Sequence, residues 1–296
     1  MPFIDGGTFL SFTSRGPAGA RRVVLVHGFT QSGRSWERVA TALAKHYEVL
    51  CLDAPGHGGS SGIRADLSEG AALIGRSAGK AAYVGYSMGG RYCMHLALSQ
   101  PDLVDALVLL GAHPGIEDPS QRKARRISDD LLATSLEPTE AMAAKGSSEE
   151  SPTEAGAVDI RGEELPRLRE FLDRWLSQPL FSTLSTEQAG LQARLEDNTC
   201  AGLASSLRLA GTGTQTPLWN RLGELSMPVL IVAGEHDLAY SALGRRTASA
   251  IGDNARFVSV AGAGHAVHLE QPEQFFHLVS SFLDDLYDGD RGASQG

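Results

Sequence analysis

Six short apolar runs alternate along the chain with stretches in which apolar residues recur every three or four positions. The first run, 22–26 (RVVLV), is rich in β-branched residues and is followed by His27 and Gly28, which is typical of a buried strand. The other runs predicted as strands are 49–52, 81–85, 106–110, 229–233 and 257–260. The stretches predicted as helices are 35–45, 66–78, 88–99, 241–251 and 272–287. This alternation predicts an α/β fold with a mostly parallel central sheet and helices on both faces.

The alternation stops between Gly111 and Met227, where only helical patterns occur. The helices predicted there are 121–136, 165–176, 186–195, 202–209 and 217–222. We therefore predict a helical cap at 112–227, inserted into a core formed by 1–111 and 228–287. This arrangement of core and inserted helical cap is similar to that of the α/β-hydrolase fold, which is our expected fold class.

One segment of the predicted cap differs in composition. Residues 137–164 contain few large apolar side chains, and eight acidic residues stand there against two basic ones. Such a segment buries too little apolar surface to offset the entropy lost on ordering. We predict a disordered loop at 137–164 and a disordered tail at 288–296.

Composition excludes several classes of function. A net charge of −9 argues against nucleic acid as a partner. The sequence contains no apolar stretch of 18 residues and no signal peptide within Met1–Asp5, so we expect a cytoplasmic protein with no membrane partner. Cys51, Cys93 and Cys200 lack the spacing of metal ligands, so no metal is expected. The sequence does not determine the oligomeric state.

Residues 85–89 (GYSMG) fit the G-x-S-x-G pattern of a nucleophile elbow. The segment follows a predicted strand and begins a predicted helix, which is the context that this motif requires. Ser87 is therefore the candidate reactive residue. The alternative is that Ser87 only caps the helix that begins at Met88.

A reactive serine needs a base, and the base needs a carboxylate that orients it. In this fold the chain order is serine, acid, histidine. Asp237 and His265 follow the last two predicted strands, at the sheet edge where α/β proteins place their sites. Glu235 is the alternative acid. His236 and His268 are interpreted as surface or packing residues.

The candidate oxyanion hole follows the first predicted strand. Residues 27–29 (HGF) lie there, and the backbone N–H groups of Phe29 and Met88 are the candidate donors to a developing oxyanion. The alternative for 27–29 is a simple turn. The glycine-rich loop 53–60 is interpreted as scaffold.

Together these motifs resemble the α/β-hydrolase superfamily over nearly the whole chain. Within it, Gly85–Arg91 (GYSMGGR) is similar to the elbow of the 2-succinyl-6-hydroxy-2,4-cyclohexadiene-1-carboxylate synthase family, called MenH. Other similar segments are 27–29, 55–60, 113–115 with 121–122 and Arg125, Trp175 with 178–181, Arg194 with Asn198, 211–215 and 263–270. The cap segments are the more specific part of the resemblance, because caps vary most among these enzymes.

The resemblance implies a small substrate with several carboxylates, bound by Arg91, Arg125 and Arg194. Tyr86 and Trp175 match aromatic residues of the family's pocket. The alternative for each arginine is a solvated charge on a helix. Residues 137–164 depart from the family as an extra loop.

The implied reaction belongs to menaquinone biosynthesis and needs no cofactor. Pyruvate is eliminated from 2-succinyl-5-enolpyruvyl-6-hydroxy-3-cyclohexene-1-carboxylate after a ring proton is removed. His265, oriented by Asp237, would make Ser87 the base. Two other functions remain open from the residues alone: a hydrolase of esters or carbon–carbon bonds, and a ligand-binding protein without turnover.

Overall fold

The computed structural model of the protein describes residues 7–138 and 160–293. One seven-stranded sheet has the order β1-β3-β2-β4-β5-β6-β7, and every neighbouring pair is parallel except β1 with β3. The strands are β1 (Phe12–Arg15), β2 (Arg22–Val26), β3 (Glu48–Leu52), β4 (Ala81–Tyr86), β5 (Val104–Leu110), β6 (Val229–Gly234) and β7 (Ala255–Val260).

Helices cover both faces of the sheet and fill the long connection from β5 to β6. They are α1 (Glu37–Leu43), α2 (Leu67–Ala78), α3 (Met88–Ser99), α4 (Pro119–Thr134), α5 (Ile160–Leu176), α6 (Thr186–Ala189), α7 (Leu191–Asp197), α8 (Cys200–Ala210), α9 (Leu238–Ile251), α10 (Val267–Glu270) and α11 (Pro272–Ala293). Short 3-10 helices lie at Gly33–Trp36, Gly58–Ser60, Pro101–Leu103, Pro179–Phe181 and Trp219–Glu224. We call α4 to α8, with their connecting segments, the cap helices.

Several elements differ from the sequence prediction, and a strand and a helix illustrate the reasons. Strand β1 was not predicted, because its four residues (FTSR) are polar or exposed at the sheet edge, where Phe12 pairs with Leu52. The helix predicted at 186–195 is two helices, α6 and α7. They are separated by Gly190, whose φ of +61° lies in the left-handed region that ends helices.

The predicted disorder is wrong at the edges of both segments. Residues 160–164 belong to α5, and 288–293 belong to α11. The Glu164 side chain accepts a hydrogen bond from the Cys200 amide, one of the N–H groups that a helix start leaves unpaired. This contact ties the first turn of α5 to α8. The rest of the two predicted segments, 139–159 and 294–296, lies outside the described residues.

The core consists of one apolar cluster on each face of the sheet and a third cluster among the cap helices. Phe29 packs against the cap cluster and also against the sheet cluster that contains Met88. The junction of cap and sheet therefore lies over the carboxyl ends of the strands. No helix in the described part of the chain is long and apolar enough to cross a membrane.

Candidate active site

Ser87 lies on a sharp turn between β4 and α3. Its φ of 51° and ψ of −108° are unfavourable for a residue with a side chain, so the surrounding structure must impose them. A Cβ atom at Gly85 would lie 2.6 Å from the Gly89 backbone, and one at Gly89 would lie 2.1 Å from the Val26 carbonyl oxygen. Both glycines are therefore required for the close approach of strand and helix. The Ser87 side chain makes no capping hydrogen bond to α3, so helix capping does not account for it.

Asp237 and His265 form a hydrogen-bonded pair. The His265 Nδ1 lies 2.7 Å from the Asp237 Oδ2, and both side chains are buried. A carboxylate accepts only, so Nδ1 carries the hydrogen and Nε2 is left as the base. No hydrogen bond joins Ser87 Oγ to His265 among the described contacts; such bonds are often long without substrate and shorten when it binds.

The alternative residues for this pair lie elsewhere. The Glu235 carboxylate accepts the Gly262 amide at 3.0 Å and does not contact His265. His236 is exposed. His268 is buried and packs between Trp36 and Tyr86, with ring centroids 4.3 and 4.4 Å away. These placements match the interpretation of both histidines as surface or packing residues.

The backbone amides of Phe29 and Met88 have no hydrogen-bond acceptor among residues 7–138 and 160–293, and both residues line the cavity described below. Two buried histidines hold the loop that carries Phe29. His27 Nε2 accepts the Ala54 amide at 3.0 Å, and His57 Nε2 accepts the Thr30 amide at 3.3 Å. Each Nδ1 faces a backbone carbonyl oxygen, at 2.8 and 3.0 Å. Both rings are therefore satisfied as neutral imidazoles.

Burial lowers the pKa of these two histidines strongly. The pKa of His27 falls to about 4 and that of His57 to about 3, in both cases mainly through loss of solvation. At neutral pH the two rings are uncharged. The loop 53–60, interpreted from the sequence only as scaffold, thus supplies a clamp on the candidate oxyanion loop.

A cavity of about 90 Å³ lies between the sheet edge and the cap helices. Nine of the ten residues predicted from the sequence line it. They are Phe29, Tyr86, Ser87, Met88, Arg91, Arg125, Trp175, Arg194 and His265. Asp237, the tenth, lies behind the lining and bonds two residues that belong to it, His265 and Tyr240. The structure therefore brings all the candidate residues to one place.

Arg91 and Arg194 are buried and paired only with neutral groups. Arg91 donates to the Ala210 carbonyl oxygen at 2.7 Å. Arg194 donates to the Ala189 carbonyl oxygen at 2.7 Å and to the Thr30 hydroxyl. Neither guanidinium meets a carboxylate in the described part of the chain. Burial lowers the pKa of each to about 10, so both stay charged at neutral pH.

Arg125 has a different environment from the other two arginines. Its Nε donates to the Asp129 Oδ1 at 2.8 Å, and its side chain is 41% exposed. Asp129 is buried and also accepts the Gly213 amide at 3.2 Å. Asp129 therefore fixes Arg125 against the turn that follows α8. The cavity lining contains three arginines and one acid, Asp129.

Aromatic side chains form a further part of the wall. The Phe29 ring lies 4.9 Å from that of Trp175 in an edge-to-face arrangement, and Phe181 lies 6.1 Å from His265. Tyr86 lies 5.3 Å from His265. Apolar surface of this kind lowers the local polarity, which strengthens interactions between charges in the cavity.

The sequence did not indicate Asp129 or Tyr240, which also line the cavity. For Asp129, a signal was available: it follows Arg125 by four positions, where helical side chains of opposite charge meet. Tyr240 follows Asp237 by three positions, but only the start of α9 places it at the site.

The family and the fold are evident from known proteins. The sequence model of the alpha/beta hydrolase family matches residues 23–278. A 2-succinyl-6-hydroxy-2,4-cyclohexadiene-1-carboxylate synthase of Enterobacter sp. (strain 638) is 31% identical, over 92% of the chain and 95% of the relative.

Among solved structures, MenH from S. aureus superimposes with a TM-score of 0.78 at 26% identity, over 95% of this chain and 100% of that chain. A thermophilic esterase from Thermogutta terrifontis reaches 0.68 at 23% identity, over 94% and 93% of the two chains, and this likeness concerns the fold alone. The chain belongs to the alpha/beta hydrolase family and, within it, to the 2-succinyl-6-hydroxy-2,4-cyclohexadiene-1-carboxylate synthases.

Proposed function

We propose that the chain is a carbon–oxygen lyase of menaquinone biosynthesis. It eliminates pyruvate from 2-succinyl-5-enolpyruvyl-6-hydroxy-3-cyclohexene-1-carboxylate and leaves 2-succinyl-6-hydroxy-2,4-cyclohexadiene-1-carboxylate. The names of its relatives support this activity. We place the protein in the cytoplasm, as the sequence predicts.

The observation that carries the proposal is the pair of buried arginines beside Ser87, neither of which forms an ion pair with a carboxylate of the described residues. A buried charge without a counter-charge is costly, and a substrate carboxylate would compensate it. Arg91 lies one helical turn after Ser87, since its amide donates to the Ser87 carbonyl oxygen at 3.1 Å. A carboxylate held there would lie close to the reactive hydroxyl. A neutral ester would leave both arginines uncompensated.

The chemistry follows from the same groups. His265 Nε2 takes the proton of the Ser87 hydroxyl, and Ser87 Oγ takes the ring proton α to the succinyl ketone. The ketone oxygen gains negative charge and accepts hydrogen bonds from the Phe29 and Met88 amides. The electron pair then moves across the ring double bond, and the bond to the enolpyruvyl oxygen breaks. The leaving enolpyruvate takes the proton that His265 holds and becomes pyruvate, so His265 and Ser87 return to their starting states.

The role of Asp237 is to orient His265 and to stabilise its protonated form. Its carboxylate lies 2.7 Å from the ring nitrogen that never meets substrate. The elimination uses no water as a reactant. This distinguishes it from ester hydrolysis, for which the same serine would form a covalent bond to substrate.

The test is direct. Wild type is incubated with the enolpyruvyl substrate, and pyruvate is measured by reduction with lactate dehydrogenase and NADH. We expect one pyruvate per substrate consumed and none above background with Ser87→Ala. Hydrolysis of simple esters without pyruvate release would instead establish a hydrolase.

A further inference from the structure

Tyr240 lies in the first turn of α9, next to the Asp237–His265 pair. Its backbone amide donates to the Asp237 Oδ1 at 3.1 Å, while the other carboxylate oxygen bonds His265. Its ring lies 4.5 Å from that of His265, at an interplanar angle of 55°. One carboxylate therefore holds both the base and the tyrosine in place.

The hydroxyl of Tyr240 has no hydrogen-bond partner among residues 7–138 and 160–293. Apart from hydrogen bonds within α9, the hydrogen bond that Tyr240 makes there is the one from its amide to Asp237. The hydroxyl oxygen is not completely buried, and Tyr240 lines the cavity. Its polar atom thus remains accessible from the cavity that holds Arg91 and Arg125.

The state of the phenol suits a hydrogen-bond donor. Burial raises the pKa of Tyr240, against the opposite effects of Arg125 and Arg91. The hydroxyl therefore keeps its proton at neutral pH. Arginines cannot accept that proton, whereas a carboxylate placed between arginines and phenol accepts from all of them.

From this geometry we propose that Tyr240 is a substrate-binding residue that donates a hydrogen bond to a carboxylate shared with Arg91 or Arg125. This inference rests on the proposed function, since it assigns a specificity role within the same site. Tyr240 would favour substrates that carry a carboxylate near the reacting carbon. It takes no part in proton transfer.

The variant that tests this is Tyr240→Phe, which removes the hydroxyl and keeps the ring that packs on His265. The matched control is Tyr92→Phe. Tyr92 is fully buried, and its hydroxyl likewise has no hydrogen-bond partner among the described residues, but it lies outside the cavity lining. Two quantities are measured: steady-state kinetics with the enolpyruvyl substrate, and the Kd of 2-succinylbenzoate, an aromatic dicarboxylate with the same succinyl ketone.

In Tyr240→Phe we expect kcat/KM to fall by about 10- to 100-fold, as for a lost hydrogen bond to a charged group. Most of the change should appear in KM, because the carboxylate keeps its charge through the reaction. The Kd of 2-succinylbenzoate should rise by a similar factor. Hydrolysis of a neutral ester, where measurable, and all properties of Tyr92→Phe should stay within twofold of wild type.

The two proposals fail in different ways. Pyruvate release by wild type with unchanged kinetics in Tyr240→Phe would overturn the role of Tyr240 and leave the lyase intact. Tyr240-dependent binding of 2-succinylbenzoate without pyruvate release would support the role of Tyr240 and overturn the lyase. A Kd equal in wild type and Tyr240→Phe contradicts the inference in either case.

Discussion

Two pairs of buried basic residues near the candidate site have different environments. His27 and His57 are neutral, and each ring nitrogen has a backbone partner. Arg91 and Arg194 are charged, and their hydrogen-bond partners are carbonyl and hydroxyl groups. The histidines need nothing further and act as scaffold. Neither arginine forms an ion pair within the described residues, so these are the residues that a ligand would complete.

The same two arginines also join the cap helices to the core. Arg91 on α3 donates to Ala210 at the end of α8, and Arg194 on α7 donates to Thr30 beside the candidate oxyanion loop. Each contact uses only part of a guanidinium.

His265 differs from both pairs, because it is a buried histidine with a carboxylate partner. Its substitution should have the largest effect on turnover. We expect His265→Ala and Ser87→Ala each to lower kcat by at least about 1,000-fold, because both act in one proton transfer. The folded state should persist, which circular dichroism would verify. If Ser87→Ala kept more than roughly a tenth of the rate, Ser87 could not be the base.

Substitution of Arg91 tests whether the buried arginines bind a substrate carboxylate. In Arg91→Ala we expect kcat/KM to fall by about 2–5 kcal/mol in free-energy terms, because the partner carboxylate stays buried and unpaired. Arg91→Lys should lose less than Arg91→Ala, since it keeps the charge but not the planar fork. Steady-state kinetics of both variants would be compared with Arg76→Ala, which removes an exposed arginine of α2.

A smaller effect should appear in acid, where the free energy of unfolding should fall because His27 and His57 are buried as neutral rings. Because the folded pKa values of His27 and His57 lie below the unfolded value of about 6.5, the unfolded state binds protons first as pH falls. Stability is therefore fully present above pH 6.5 and declines toward pH 4. Each of the two rings should lower the free energy of unfolding by about 2 kcal/mol between pH 8 and pH 5.

The measurement for this prediction is the free energy of unfolding in urea at both pH values. His57→Gln provides the control, since an amide donates and accepts without titrating. We expect a flatter pH dependence in His57→Gln than in wild type. His95, His113 and His268 contribute in the same direction, because burial lowers their pKa as well. An equal slope in the two proteins would contradict the lowered pKa of His57 in the folded state.

The sequence predicted the sheet, the elbow and the candidate pair because those features depend on local patterns. Six apolar runs correspond to six strands, and Asp237 and His265 each follow a strand end. Strand β1 escaped prediction because an exposed edge strand lacks an apolar pattern. Asp129 and Tyr240 escaped because their roles depend on contacts between distant elements: Asp129 meets Gly213, and Tyr240 meets His265 across 25 positions.

The proposed reaction depends above all on a negatively charged substrate. One preparation each of wild type and Arg91→Ala should be assayed side by side for pyruvate release from the enolpyruvyl substrate and for hydrolysis of a neutral nitrophenyl ester. We predict that wild type releases pyruvate and that Arg91→Ala loses this activity selectively, with any ester hydrolysis unchanged. Equal pyruvate release by the two proteins would contradict the assignment of Arg91 as a carboxylate-binding residue, and ester hydrolysis alone would contradict the lyase.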